Sequence, residues 1–228
     1  HVTDDCEGSA GDYAVARLAR IYSVALPALV ATALLDAAGR AIDPVHYLLD
    51  PGYQPRNLLL QFSAAALFLN QLWYLDMPVG TMAPYWSLGY EVWYYVAFGC
   101  VFFLRGTARW VALGAVILLV GPIVASYGLF WAAGVVAYRL GKRPMHEVAG
   151  LLLCLGGAAV LVGATLYGVP GEARVQAAMA PVLGAAAWYH DAVVSLGFAA
   201  HLVGLCAIGH RIAPVLGAVE RPLRWLAG

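Results

Sequence analysis

Apolar runs long enough to cross a bilayer recur along this chain, and the short segments between them hold nearly all of its charge. A membrane-spanning helix needs about 20 apolar residues, with a range of about 17–25. Seven such runs are visible: Leu18–Ala38, Leu58–Leu75, Tyr85–Leu104, Trp110–Ala125, a short one at Tyr127–Leu140, Val148–Tyr167 and Trp188–Ile208. Dyad alternation of the kind a membrane barrel requires is missing. The expectation is an all-α, polytopic transmembrane bundle of about seven helices.

Composition supports that class. The 228 residues are 62% hydrophobic and 11% charged, with a mean hydropathy of +0.75, against about 45–50% apolar and about 25% charged in soluble domains. Net charge is zero, and no basic stripe supports a nucleic-acid partner. Cys100, Cys154 and Cys206 lie inside apolar runs and Cys6 in a polar one. They read as small apolar packing residues rather than a disulfide framework or a metal site. The polar, acidic start and the end just after Arg224 read as cuts through a longer protein, so residues 1–228 are expected to be one transmembrane domain truncated at both ends.

Two long connections interrupt the apolar pattern, at 39–57 and 168–187, both containing proline. Residues 176–187 have the composition of a further short helix, but Pro181 and the length argue against a span. Basic residues cluster at Arg17/Arg20, Arg139/Lys142/Arg143 and Arg211/Arg221/Arg224. Counting the fourth and fifth runs as one crossing broken at Gly121-Pro122 puts all three clusters on one side, but then leaves Arg105 and Arg109 opposite.

One carboxylate sits where hydrocarbon is expected. Glu91 lies in Tyr85-Trp86-Ser87-Leu88-Gly89-Tyr90-Glu91-Val92-Trp93-Tyr94-Tyr95, and intramembrane acids are costly enough to face a bundle interior, a cavity or a partner. At 3.6 residues per turn, Ser87, Glu91, Tyr94 and Tyr95 share one side of a helix, with Trp86, Tyr90 and Trp93 mainly on another. Glu91 is either functional or one half of a structural ion pair. Arg17 and Arg20, three apart at a helix entrance, either hold phosphate groups or anchor the helix at the headgroups. His190 and His201 share a face of the last run. The reading preferred for them is packed, hydrogen-bonded histidine over a proton relay. Ligands at metal-binding spacing are not visible, nor is a nucleophile elbow, a Walker loop or a dinucleotide fingerprint.

Together these segments resemble the acyltransferase family 3 of multi-spanning membrane enzymes. That family's W-S-L-x-x-E-x-x-F/Y-Y element is matched by Trp86, Ser87, Leu88, Glu91, Tyr94 and Tyr95. Its R-x-x-R-I-hydrophobic entrance is matched about 65 to 70 residues upstream by Arg17, Arg20, Ile21 and Tyr22, with Ser23 where proline is usual. Phe130 and Gly134 match a later F-x-x-x-G helix start, and Arg221-Pro222-Leu223-Arg224-Trp225-Leu226 looks like the approach to the family's last helix.

The resemblance implies transfer of an acyl group, commonly acetyl from acetyl-CoA, to a hydroxyl of a cell-surface carbohydrate. It implies no bound cofactor and no metal. It assigns Glu91, Ser87 and Tyr95 to the catalytic site, and Arg17, Arg20, Trp86 and Tyr94 to substrate binding. The family's proposed catalytic histidine would lie upstream of Arg17, beyond this chain, so the chain alone is expected to be inactive. The expected partners are acyl-CoA, a glycan or lipid-linked sugar and membrane lipids. The high Ala, Gly, Val, Leu and Arg content points to a GC-rich bacterial genome, and the expected location is the bacterial inner membrane. The alternative is a transporter or flippase-like protein with Glu91 and His201 in the solute path.

Overall fold

In the computed structural model, residues 9–49, 53, 57–184, 187–211 and 213 are described. His1, Cys6 and the Arg221–Leu226 segment lie outside them. Among the described residues there are eight α-helices and no strand: α1 Ala10–Ile42, α2 Pro44–Leu49, α3 Leu58–Ala66, α4 Trp86–Phe103, α5 Gly106–Gly141, α6 Glu147–Tyr167, α7 Glu172–Leu183 and α8 Trp188–Ala207. Four of them, α1, α5, α6 and α8, are long and apolar enough to cross a membrane. The chain is thus an all-α membrane protein. It divides into two units, residues 1–128 and 129–228.

The first unit is organised by α1. Ser9 caps the helix: its hydroxyl accepts from the Asp12 amide, and the Asp12 carboxylate accepts from the Ser9 amide. This reciprocal pair satisfies two donors that a helix start leaves open. Tyr13, Arg17, Ile21, Ala25, Leu29, Thr32 and Asp36 are the buried residues of α1, spaced three or four apart on one stripe. Ile21, Ala25 and Leu29 pack there with Ala65, Phe68, Val79, Tyr85 and Val92.

The expected span over Leu58–Leu75 is not one helix. After nine residues α3 stops at Leu67, and Phe68 takes a left-handed backbone, φ 56°. A non-glycine residue there costs energy. Burial of the ring offsets the cost: Phe68 lies between the Tyr22 and Tyr85 rings, at 5.3 and 6.5 Å. Side chains from elsewhere then satisfy the end of the segment. Tyr85 Oη donates to the Ala65 carbonyl (3.0 Å), Tyr22 Oη to that of Ala66 (2.9 Å) and Trp93 Nε1 to that of Phe68 (2.9 Å). Carbonyls freed at a helix end must find such partners where water is scarce.

The fourth and fifth expected runs form one element, α5, bent at Gly121 (φ 84°, ψ 176°) before Pro122. The bend frees the Val120 carbonyl, which accepts from the Trp73 amide at 2.8 Å. Any Cβ on Gly121 would stand 2.6 Å from the Trp73 Cα. The crossing of these two backbones therefore requires glycine. Seven continuous spans thus become four long apolar helices, the shorter apolar α4, and the α3 segment with its irregular return.

In the second unit α6 and α8 touch through their backbones. A Cβ on Gly157 would meet the Gly197 carbonyl and the His201 amide at 2.5 Å, and one on Gly204 would meet the Gly150 carbonyl at 2.5 Å. Small residues at such contacts let apolar helices approach closely. The short helix anticipated near 176–187 is α7, Glu172–Leu183, with Pro181 inside it.

Candidate functional site

The helix bearing Glu91 begins at Trp86, and a 3-10 turn over Ala83–Tyr85 that contains Pro84 leads into it. Ser87 Oγ donates to the Pro84 carbonyl at 2.9 Å, which ties the exposed serine to the first turn of the helix. One turn on, Tyr95 Oη donates to Glu91 Oε1 at 2.5 Å. The i, i+4 spacing makes this contact possible within a single helix.

Antiparallel packing of α1 on α4 brings the arginine motif to the same phenol. Arg17, 8% exposed, lays its guanidinium over the Tyr95 ring at 5.2 Å and the Tyr13 ring at 5.4 Å. Tyr13 Oη donates to the Tyr95 carbonyl at 3.3 Å. Two aromatic faces around a desolvated guanidinium fix its position and contribute cation–π attraction. Arg20 is exposed. The two arginines are thus not equivalent: one is built into the helix pair and the other remains accessible.

Tyr94 faces away from this group. Its hydroxyl donates to the Val124 carbonyl of α5 at 2.9 Å. On a helix, Tyr94 and Tyr95 straddle the Glu91 direction by about 60° and 40° on opposite sides, so packing decides which one meets the carboxylate. Trp86 is half-exposed and rests edge-on against Tyr90 at 5.2 Å. The structure therefore assembles Glu91, Tyr95 and Arg17, with Tyr13 added. It leaves Ser87, Trp86 and Arg20 at the margin and gives Tyr94 a packing bond. Tyr13 lies on the arginine stripe four residues before Arg17, and that spacing is the signal by which sequence could have found it.

Beside the group runs a groove of about 340 Å³ between α1 and α4. Ile21, Val92, Val96, Gly99 and Phe103 make its walls, with Tyr13, Arg17 and Tyr95 as polar members. Such a space accepts an apolar chain and holds one cation and two phenols against its polar part. Among the described residues no three His, Cys, Asp or Glu side chains cluster to hold a metal.

The histidines have local partners. His201 Nδ1 lies 2.8 Å from the Cys154 carbonyl and so carries the proton toward α6, while His190 Nδ1 faces Glu172 Oε2 at 3.3 Å. In the second unit, Glu147 pairs with Arg211 and with His210. No protein-family model, curated protein or solved structure matches this chain.

Proposed function

We propose that the chain carries part of the active site of an integral membrane O-acyltransferase of the family 3 type, acting on acyl-CoA and a hydroxyl of a cell-surface carbohydrate. The observation that carries the reading is the meeting at one phenol of two distant motifs. Tyr95 bonds the Glu91 carboxylate and lies under the Arg17 guanidinium.

Acyl transfer to an alcohol breaks the thioester C–S bond, forms an ester C–O bond and moves the hydroxyl proton to a base. It is accelerated by positive charge or hydrogen-bond donors at the developing oxyanion. In this reading Arg17 supplies the charge, and Glu91 fixes the Tyr95 phenol as an oriented group. The apolar groove receives the acyl end of the donor. The base is the upstream histidine that the resemblance implies.

The test uses the full-length protein in native membranes with labelled acetyl-CoA. Glu91→Gln is expected to abolish label incorporation into glycan at unchanged protein level, and Tyr95→Phe to reduce it about 10- to 100-fold, as loss of a hydrogen bond to a charged group does. Wild-type incorporation by Glu91→Gln removes Glu91 from the site. The transporter reading draws support from the interrupted α3 segment and the bend in α5, since broken helices line solute paths. It predicts solute flux in proteoliposomes without acyl-CoA.

A further inference from the structure

At the far end of α1 from Arg17 lies a second polar group that acyl transfer does not use. Asp36 is 3% exposed yet charged in type. Its Oδ1 accepts from Thr81 Oγ1 at 2.7 Å, its Oδ2 from the Thr81 amide at 3.1 Å, and the Tyr47 hydroxyl also bonds to it. Desolvation, followed by the Asp36 charge, pushes the Tyr47 phenol above its ordinary pKa. One turn on, Arg40 donates Nε to the Asp36 carbonyl at 3.2 Å and stands 6.0 Å from the Tyr53 ring centre. Among the described residues the terminal nitrogens of Arg40 carry no hydrogen bond.

Tyr53 supplies the independent observation. It is 5% exposed, and its buried hydroxyl has no hydrogen-bond partner among the described residues. A phenol left in that state carries a desolvation cost unless a ligand meets it. It lines a cavity of about 420 Å³ together with Asp36, Arg40, Leu58, Leu59 and Phe62.

That cavity has a neighbour along α1. A second space of about 310 Å³, lined by Leu26, Leu29, Val30, Ser63 and Ala66, shares Ala33 and Phe62 with the first. Because α3 runs back along α1, the two form one trough, polar at Arg40 and apolar from Ala33 to Leu26. Fourteen helical residues make it about 21 Å long. Arg17 and Arg40 are 23 residues apart on α1, about 34 Å, so a membrane-crossing α1 puts the polar end near the opposite face of a bilayer core of about 30 Å.

We propose that this trough binds one phospholipid with a zwitterionic, primary-ammonium headgroup, its acyl chain lying between α1 and α3. The polar end holds one acidic and one basic side chain, Asp36 and Arg40, which complement such a headgroup and neither a simple anion nor a simple cation. Arg40 and the Tyr53 hydroxyl donate to the phosphate oxygens. A carboxylate offers about four acceptor positions, and Asp36 uses three. The fourth takes an N–H of the ammonium, which a quaternary ammonium lacks. The site stands independently of the acyl-transfer reading, since no residue of that site lines it.

The test is native mass spectrometry of the full chain, released from nanodiscs containing equal parts of phosphatidylethanolamine, phosphatidylcholine, phosphatidylglycerol and a diglucosyl diacylglycerol. One phosphatidylethanolamine per chain is expected to survive delipidation at about tenfold excess over each of the others. Tyr53→Phe removes only the hydroxyl that has no partner among the described residues and is expected to erase most of that preference, as is Arg40→Gln. Ala33→Trp, which fills the trough where the two spaces join, is expected to abolish retention while the thermal transition persists. Equal retention of the four lipids overturns the proposal, and so does preference for the sugar-headed lipid. Full retention by Tyr53→Phe overturns it as well.

Discussion

Two glycines of α5 are expected to respond oppositely to the same methyl group. Gly121 has φ 84° and ψ 176°, a backbone region essentially reserved for glycine, and forcing an alanine there costs about 1–3 kcal/mol. The added Cβ would also stand 2.6 Å from Trp73 Cα and 2.9 Å from its Cγ. Both contacts lie below any ordinary approach of carbon to carbon, and one of them is backbone. Relief requires the Trp73 segment to move, and movement breaks its amide bond to the Val120 carbonyl, worth about 0.5–1.5 kcal/mol. Together these place Gly121→Ala at about 2–4 kcal/mol of destabilisation. Gly114 lies in the same helix with open space around its Cβ direction. There alanine removes only the entropic penalty of glycine and is expected to stabilise by about 0.5–1 kcal/mol. Reversible unfolding in mixed micelles, followed by circular dichroism against the mole fraction of dodecyl sulfate, measures both. A neutral Gly121→Ala would refute the close crossing of the Trp73 segment over the bend.

Further outcomes follow from contacts in both units. Gly157→Val is expected to destabilise the α6–α8 pair by about 1–3 kcal/mol through overpacking, read as faster cross-linking or proteolysis of α8; unchanged protection would contradict the backbone contact at Gly197 and His201. His201→Ala should cost about 1–3 kcal/mol in the same unfolding assay, because the Cys154 carbonyl loses a buried donor. A relay role would instead move activity and leave stability alone. Trp93→Phe keeps the ring but removes the donor to the Phe68 carbonyl. It should cost about 1 kcal/mol and speed hydrogen exchange at 67–72, which unchanged exchange would disprove.

The parts legible in the sequence were those governed by local pattern. The last two spans were expected at Val148–Tyr167 and Trp188–Ile208, and the helices found are Glu147–Tyr167 and Trp188–Ala207. In these stretches apolar length and helix length coincide. The run at Leu58–Leu75 has the length of a span but carries Gln61, Asn70 and Gln71, and it is not one helix. What ends α3 is a set of donors on Tyr22, Tyr85 and Trp93, which lie up to 44 residues away in sequence from the carbonyls they serve. A hydropathy window does not register such partners. The Glu91–Tyr95 pair was legible because i, i+4 is a local relation, whereas the bond from Tyr94 to Val124 depends on where α5 packs. Nothing local singles out Asp36, which sits near the end of an apolar run, close to Gly39 and Arg40. Its place on the stripe that starts at Tyr13 was the available clue.

The side-chain ties on the end of α3 also constrain how the protein is made. A nine-residue helix followed by an irregular segment is too short to partition stably into lipid as it leaves the ribosome. Tyr22, the donor to the Ala66 carbonyl, is already made, but the Ala65 and Phe68 carbonyls find theirs only after Tyr85 and Trp93 have been synthesised, 20 and 25 residues later. Biogenesis therefore has an order: α1 enters first, residues 58–82 wait at the surface or in the insertion machinery, and the arrival of α4 draws them in. A single cysteine introduced into that segment, in a chain whose natural cysteines are replaced, should react with water-soluble reagents when synthesis halts shortly before Tyr85, and extending the chain past Phe103 should protect it.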